Sequence, residues 1–575
     1  MIRASCNLWR RRSGFVSLAV MIIVVLITYA CYEFTFSAVD EHRAAAAAGD
    51  RMRLELCADS AEQLLLLDLQ STTRSDGTEE TADGTQRSFE DPAIERYAGR
   101  PVGGFPQSER RPQFTIVSSV IDSSGELRLQ YGSSDESARL SLAAVAQWER
   151  AQPGQGVAAL TKLPGIDPLK ASATAAYLLG VSPQTLEADS VERRPAIAQS
   201  SETRSRGTTP WLMSRSIERR ARRQPRDETV VADLAPTTTM PTASATGAVS
   251  AAETLPPTWQ GATIEELTSV VGIGTATLHG GDLNANYFVS PWETEYADRL
   301  RSNQRLGGGP GKSLADRPDL ASSWGALLTA YSAERNVNRR GEPRIYLNDS
   351  DLGRLRELLN ARLPARWAEF IMTYRSYGDA GQARAIASVY DLIGAQATAP
   401  GGDGQMQSIE SPFSADRSSY SDYLLQLSDE LTTDARTVIP GRININLAPR
   451  AVLRAIPGVD EQLVDRIMAG RERAASDTRA ARYHAAWLAS EGWIEIAWLR
   501  QLEPYITAGG HVRRAQVISY FAQGSDARAD APMNSEPMFV RREVIVDGAR
   551  QRPCIALRRD LGSLGRGFRE EALKP

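Results

Sequence analysis

The strongest hydrophobic signal in the chain is an uninterrupted apolar run near the N-terminus. From Phe15 to Tyr32 there is no charged residue, and only Ser17 and Thr28 are markedly polar. A helix of that length extends roughly 27 Å, close to the hydrocarbon core of a bilayer. Four arginines precede the run. The positive-inside rule therefore predicts a single-pass membrane protein with a cytoplasmic N-terminus and an exported main domain.

A helical pattern of apolar positions continues beyond this run. No proline occurs between Tyr32 and Pro92, and alanine, leucine and methionine recur at helical spacing as far as about Gln70. Span and continuation together predict one helix over residues 15–70, roughly 80 Å long. The alternative is a separate second helix, with Gly49 as the most favourable break.

Alternation of apolar and polar positions predicts strands towards both ends of the remaining chain. The predicted strands cover residues 114–121, 126–131, 512–521, 539–546 and 554–559. Turns at 122–125 and at Asp547–Gly548 connect neighbouring strands. We predict that these distant strands share one small antiparallel sheet, which makes the residues between them a large insert.

The insert contains a recurring motif that begins with arginine. Its copies are Arg-Leu-Ser-Leu at 139–142, Arg-Ile-Tyr-Leu-Asn at 344–348 and Arg-Ile-Asn-Ile-Asn at 442–446. Each copy introduces a helix-forming run. Tight turns follow at 163–167 and 456–460, and a related Val-Gly-Ile-Gly turn lies at 271–274. Because proline and glycine favour tight turns between apolar helices, these are predicted to be helix–hairpin–helix-like units.

The polar stretches between these patterns are predicted to be irregular. Residues 71–112 read as a loop, residues 396–436 as a second irregular stretch, and residues 196–256 as a disordered linker with a basic cluster at 215–223.

The chain is predicted to have an α+β fold, in which an N-terminal helix precedes a sheet split by a helical insert. The predicted segments are a leader (1–14), the long helix (15–70), the first part of the β domain (71–135), the first hairpin unit (136–195), the linker (196–256), a second helical region (257–395), the irregular loop (396–436), the third hairpin unit (437–510) and the C-terminal strands (511–575).

Composition narrows the function classes further. The 575 residues carry a net charge of −4 with a pI near 5.9, which argues against a generic nucleic-acid binder. Cys6 and Cys31 lie in the leader and the span, so only Cys57 and Cys554 remain for the exported part. A disulfide between them stays open, although free thiols are the expectation. No pattern typical of a catalytic site stands out, and we expect no enzymatic activity.

A calcium site is predicted at residues 282–293. Calcium loops take oxygen ligands from positions 1, 3, 5, 7, 9 and 12. Here these positions are Asp282, Asn284, Asn286, the carbonyl of Phe288, Ser290 and Glu293. Tyr287 occupies the sixth position, where the sharp turn prefers glycine, and only two ligands are charged, so weak binding is expected. The alternative is an asparagine-rich turn without an ion.

The order of residues at the start of the apolar run is unusual for a secretory signal. Gly14 stands directly before Phe15, between the arginines and the apolar helix, whereas an ordinary signal ends its apolar run at the cleavage site. This order resembles the type IV prepilin leader, which implies cleavage between Gly14 and Phe15 by prepilin peptidase. Such leaders usually carry glutamate at the fifth mature position, where this chain has Ala19. The alternative is an uncleaved signal anchor.

Taken together, the chain resembles the type II secretion system minor pseudopilin K, the general secretion pathway protein K family. The resemblance depends on the leader without glutamate at Ala19, on the 442–458 segment, and on the split sheet around a helical insert. Segments 334–338 and 367–375 add to it. Departures are Leu447, where the family usually has threonine, and Ser141 with Leu142 in place of asparagines.

The resemblance implies a structural role in the export of folded proteins. Family members cap the tip of a periplasmic pseudopilus and join the minor pseudopilins I and J. We expect residues 15–70 to pack beside the equivalent helices of partner pseudopilins through an apolar stripe that includes Leu65.

Two other functions stay open from the residues alone. One is a membrane-anchored periplasmic DNA-binding protein, since helix–hairpin–helix units often hold phosphate through hairpin amides. Asp167 and Asp460 argue against it because they place negative charge at the second hairpin position, and only Gly272 and Gly274 keep the permissive pair. No nucleic acid is therefore expected. The other is an exported enzyme.

Overall fold

The computed structural model describes a mixed helix and sheet protein with one long apolar N-terminal helix. The described residues are 13–75, 91–103, 111–122, 125–181, 263–287, 293, 323–377, 383–400, 405–472, 482–521, 538–568 and 573. The linker predicted at 196–256 and most of the leader lie outside them.

The helices occupy the N-terminal arm and the insert. They are α1 (Ser13–Ser75), α2 (Asp91–Tyr97), α3 (Leu142–Ala151), α4 (Gln155–Thr161), α5 (Pro168–Leu179), α6 (Thr275–His279), α7 (Trp324–Leu327), α8 (Leu352–Arg362), α9 (Ala365–Ser376), α10 (Tyr420–Glu430), α11 (Arg450–Ala455), α12 (Glu461–Glu472), α13 (Trp487–Ser490) and α14 (Ile496–Leu502). Short 3₁₀ helices lie at Glu136–Ala138, Ile264–Ser269, Val389–Leu392, Arg417–Ser419 and Gly562–Leu564.

The strands form one large sheet and several two-stranded pairs. They are β1 (Arg100–Pro101), β2 (Pro112–Ile121), β3 (Leu127–Tyr131), β4 (Ser134–Asp135), β5 (Leu140–Ser141), β6 (Leu328–Thr329), β7 (Ala333–Arg335), β8 (Ile345–Tyr346), β9 (Gln396–Pro400), β10 (Met406–Glu410), β11 (Leu431–Thr432), β12 (Val438–Pro440), β13 (Ile443–Asn444), β14 (Ile506–Thr507), β15 (Val512–Phe521), β16 (Phe539–Asp547) and β17 (Cys554–Asp560).

The large sheet joins strands from the two ends of the chain that follows α1. Its order is β1-β2-β15-β16-β17, with β3 on β2 and β4 on β15. Strand β2 pairs antiparallel with β15, for example Val117 opposite Gln516. The two paired residues are separated by almost 400 positions of sequence, so the intervening chain is an insert. A sheet built this way forms only after both halves of the chain have met.

Helix α1 is continuous through Gly49, so the alternative of a second helix beginning there is wrong. Nothing lies within 4 Å of the place where a side chain at Gly49 would stand. At 63 residues, the helix is roughly 95 Å long. Among the described residues it is the one helix long and apolar enough to cross a membrane.

The C-terminal part of α1 packs across one face of the large sheet. Its buried positions are Leu54, Cys57, Ala58, Ala61 and Leu65, against Phe114, Ile116, Ala515, Val517 and Val544 of the strands. Burial of each large apolar side chain contributes about 1.5–3 kcal/mol. Glu62, which is 1% exposed, is paired with Arg542 and Arg558 of the sheet. Both apolar packing and ion pairs therefore fix α1 on the sheet.

Two of the predicted loops contain regular structure. In the stretch 71–112, α1 extends to Ser75 and α2 packs beside β2, where the Tyr97 hydroxyl donates to Asp68 at 2.6 Å. In the stretch 396–436, β9 pairs with β10 and α10 follows. The loop predictions are wrong there because buried α10 residues such as Tyr423 and Leu427 follow a helical spacing inside a polar sequence.

The first and third predicted hairpin units each have a helix on both sides of the turn. Helices α4 and α5 flank the turn at 163–167, and α11 and α12 flank the turn at 456–460. Gly165 and Gly458 have φ of 73° and 78°, which glycine adopts without a steric penalty. Lys162 Nζ donates to the Val459 carbonyl at 3.3 Å, so the two hairpins are neighbours. The insert has its own core around the fully buried Trp324 and Trp487.

Candidate functional site

The first candidate site is the face of α1 that points away from the sheet. Met52, Leu56 and Leu67 are 64%, 52% and 58% exposed. Their spacing places them on one side of the helix, opposite the buried row that contains Leu54 and Leu65. An exposed apolar stripe on a long helix is typical of a surface that another helix covers.

The structure corrects the position of this stripe. Leu65, which we expected to contact partner helices, is 3% exposed and lies between α1 and the sheet. The four consecutive leucines at 64–67 make the two faces indistinguishable by sequence. Only the packed sheet distinguishes buried Leu65 from exposed Leu67.

The rest of α1 stands free of the sheet. The apolar residues of the span, such as Ile22 and Leu26, are 52% and 60% exposed, which a bilayer would cover. Gly14 lies in the first turn of α1, directly before Phe15. Because residues 1–12 lie outside the described residues, the predicted leader cleavage stays a prediction.

The second candidate site is the loop predicted to bind calcium. Asp282, Asn284, Asn286 and Glu293 come together, and they are 7%, 8%, 7% and 0% exposed. Asp282 accepts the backbone N–H of Asn286 at 3.2 Å and that of Tyr287 at 2.8 Å. Glu293 Oε1 accepts the N–H of Leu283 at 2.9 Å and of Asn284 at 3.2 Å. Phe288 and Ser290, the other predicted ligands, lie outside the described residues.

The backbone of this loop adopts the tight winding that a calcium loop needs. Ala285 and Tyr287 have φ of 55° and 68°, a left-handed conformation that is uncommon for residues other than glycine. The sixth position, Tyr287, therefore makes the sharp turn without glycine. Its hydroxyl donates to Glu543 at 3.2 Å, and this anchorage offsets part of the backbone strain.

The loop is held on the sheet face opposite α1 by residues that the sequence did not identify. Arg541 donates to the carbonyls of Asn284 at 2.8 Å and Ala285 at 2.6 Å. Gln516 donates to the Ala285 carbonyl at 2.7 Å. Both side chains are fully buried. The sequence signal for this contact was the presence of Gln516 and Arg541 within predicted strands, since a polar side chain that is buried there requires a hydrogen-bond partner.

The electrostatics of the loop favour a hard cation. Burial raises the pKa of Asp282 to about 6, and the nearby Glu293 charge acts in the same direction, against the backbone hydrogen bonds. The Oδ1 atom of Asn284 is buried without a hydrogen-bond partner among the described residues. Two carboxylates and an unsatisfied amide oxygen suit Ca²⁺, which accepts carboxylate, amide and carbonyl oxygens together.

Within the described ranges, no cluster of three or more His, Cys, Asp or Glu side chains could hold a metal ion. The loop supplies only two carboxylates, so binding of Ca²⁺ there would also depend on neutral amide and carbonyl oxygens. A set of this kind is typical of weak extracellular calcium sites rather than of transition-metal sites.

The third candidate feature is the pair of hairpin aspartates, Asp167 and Asp460, because their charge bears on nucleic-acid binding. Asp167 Oδ1 accepts the N–H of Lys170 at 2.8 Å, and Asp460 Oδ1 accepts the N–H of Leu463 at 2.8 Å. Each aspartate thus caps its own helix. The hydrogen bond from Lys170 lowers the pKa of Asp167, so the hairpin keeps its negative charge where phosphate would approach.

Comparisons with known protein families, with curated proteins and with solved structures found no match to this chain.

Proposed function

We propose that the protein is a minor pseudopilin of a type II secretion system, similar to pseudopilin K, and that it caps the tip of the periplasmic pseudopilus. The observation that carries the proposal is the architecture of α1. One continuous helix begins with an apolar span, projects free of the domain, and ends against a sheet with an exposed apolar stripe on its outer face. This geometry supports a subunit that joins a helical bundle through α1.

The insert supports a terminal position in the assembly. Its residues enter after β4 and return at β15, so the whole helical domain projects from one sheet. A bulky domain inserted in this way would obstruct stacking of a further subunit. Ala19 agrees with a terminal position, because a subunit without a further neighbour needs no buried carboxylate to pair with it.

The proposal names partners and a location. The partners are the minor pseudopilins I and J, and prepilin peptidase would process the leader at Gly14. The protein would lie in the inner membrane as a single-pass protein with its domain in the periplasm, where a folded scaffold supports the export of other proteins.

We include a calcium ion in the proposal. Asp282, Asn284, Asn286 and Glu293 would hold it, together with the Phe288 carbonyl and Ser290. The ion would add positive charge beside the two carboxylates and so would stabilise the loop on the sheet.

The assembly surface is tested by co-purification with candidate partner pseudopilins. Met52→Asp places a charge in the exposed stripe and should abolish co-purification, because the partner helix would have to bury an unpaired carboxylate. The domain should remain folded, since Met52 is 64% exposed.

A matched control is Met406→Asp, which adds the same charge at a methionine that is 61% exposed on β10. It should leave co-purification unchanged. If Met52→Asp still co-purifies at the parental level, the stripe does not contact the partners, and α1 serves only as an anchor.

A further inference from the structure

The arginine motif noted in the sequence builds the same structure three times. In each unit a short strand after the arginine pairs in parallel with a short strand that ends in threonine: β5 with β6, β8 with β11, and β13 with β14. The arginines are Arg139, Arg344 and Arg442, and the threonines are Thr329, Thr432 and Thr507. In every unit the threonine lies opposite the residue two positions after the arginine.

The threonines also form the same local turn. Thr329 accepts the N–H of Tyr331 at 2.9 Å, Thr432 that of Asp434 at 3.1 Å, and Thr507 that of Gly509 at 3.4 Å. Because backbone pairing and turn geometry repeat, the three units are comparable position by position.

Two of the units contain a buried carboxylate between the arginine and the threonine. Glu136, fully buried, is bonded to both Arg139 and Thr329. Glu334 accepts from Arg442 Nη1 at 2.9 Å and also from Thr507. The carboxylate neutralises the arginine and satisfies the threonine hydroxyl, as a buried charge requires.

The middle unit has no such carboxylate among the described residues. Arg344 makes no side-chain hydrogen bond or ion pair with them, and its Nε is buried without a partner. As a donor, the Thr432 hydroxyl reaches only the Asp434 carbonyl among the described residues, at a long 3.5 Å. A cavity of about 50 Å³ is lined by Arg344 and Thr432, together with Tyr390, Ser428 and His484. The cavity thus adjoins the arginine and the threonine of the middle unit, the two groups that a carboxylate joins in the other two units.

The neighbouring charged groups are already engaged. Asp429 lies 3.1 Å from His484 Nε2 and accepts the N–H of Arg339 at 2.9 Å. Glu503 accepts from Ser388 and from the N–H of Val389. Arg442 and Glu334, which also line the cavity, pair with each other.

Burial lowers the pKa of His484, so this histidine is neutral near pH 7. Arg344 is therefore the charged group of the cavity that makes no direct ion pair within the part of the chain that the structure describes, and the Asp429 carboxylate acts on it only through space.

We propose that this cavity is a binding site for a small monovalent anion, of formate or chloride size, held between the Arg344 guanidinium and the Thr432 hydroxyl. The anion takes the place that glutamate occupies in the first and third units. The volume exceeds the roughly 10–15 Å³ needed for one water and is too small for a larger organic anion.

The test is thermal unfolding of the full chain in detergent at constant ionic strength. Sodium formate and sodium chloride should raise the unfolding midpoint in a saturable way relative to sodium gluconate, whose anion does not fit the cavity. Arg344→Gln should weaken the apparent affinity for formate about tenfold or more, because a charge-assisted hydrogen bond is lost. Arg344→Lys should retain part of the response, since it keeps the charge.

Two further variants keep the test decisive if Arg344→Gln does not fold. Thr432→Val preserves side-chain shape, removes the hydroxyl and should also weaken formate binding. Arg354→Gln removes an arginine that is 69% exposed on α8 and should respond to formate as the parent does.

A crystal soaked in bromide should show an anomalous peak between Arg344 and Thr432. Equal stabilisation by formate and gluconate, an undiminished response in Thr432→Val, or a cavity that holds only water in bromide would each overturn the proposal.

Discussion

At the scale of single residues, several side chains owe their roles to neighbours that are distant in sequence. Arg541 and Gln516 are ordinary polar residues of β-strands, yet both hold the backbone of the 282–287 loop. Arg344 and Arg442 occupy the same position of one motif, yet only Arg442 has a carboxylate partner among the described residues. The chemistry of these residues depends on what the fold places beside them.

The calcium proposal makes a prediction at this scale. Millimolar calcium should raise the melting temperature of the full chain, because the ion binds the folded loop and not the unfolded chain. The double variant Asp282→Ala with Glu293→Ala should remove this shift, and a chelator should reverse it in the parent.

Asp547→Ala with Glu495→Ala removes two carboxylates outside the loop and is the control. If the loop double variant responds to calcium as the parent does, the ion binds elsewhere in the protein.

At the scale of elements, α1 has two faces with different functions. The buried face stabilises the domain that contains the large sheet, and the exposed face is available for contact with another helix. Leu65 and Leu67, two positions apart, belong to different faces because a helix turns about 100° per residue.

The same substitution should lower the free energy of unfolding on the buried face and leave it almost unchanged on the exposed face. Leu65→Ala should lower the free energy of unfolding by about 2–5 kcal/mol, because it leaves a cavity between α1 and the sheet. Leu67→Ala, at a side chain that is 58% exposed, should change it by no more than about 0.5 kcal/mol. Denaturant unfolding of the full chain in detergent measures both. Similar losses for the two variants would contradict this assignment of faces.

At the scale of the whole molecule, the sheet is the junction of the parts. Helix α1 covers one face of it, the 282–287 loop covers the other, and the insert departs from and returns to its central strands. The membrane-directed part and the large helical domain are therefore connected through one folded unit.

Maturation of the chain gives a prediction at the same scale. N-terminal sequencing of the protein from membranes should begin at Phe15, since a prepilin-like leader is cut after Gly14. Gly14→Val should leave the precursor uncut, because the larger side chain blocks the peptidase. Val16→Ala, a substitution on the other side of Phe15, should be processed normally. A mature protein that begins at Met1, or beyond Tyr32, would contradict the pilin interpretation.

The sequence alone determined the features that depend on local pattern. The long apolar helix, five of the seven strands of the sheet and the hairpin turns follow from periodicity or from turn residues. A shared sheet for the strands at both ends was also predicted, whereas the pairing of β2 with β15 came from the structure. Helix α10 was missed since its apolar spacing lies within a polar stretch.

Only the tertiary structure decided which residues share a site. Burial assigned Leu65 to the core and Leu67 to the surface, although both belong to one run of leucines. The repeated motif was visible in the sequence, but its carboxylate partners were not, because Glu136 pairs locally with Arg139 whereas Glu334 reaches Arg442 through the fold. Local pattern specifies elements, whereas contacts between distant residues follow from how those elements pack.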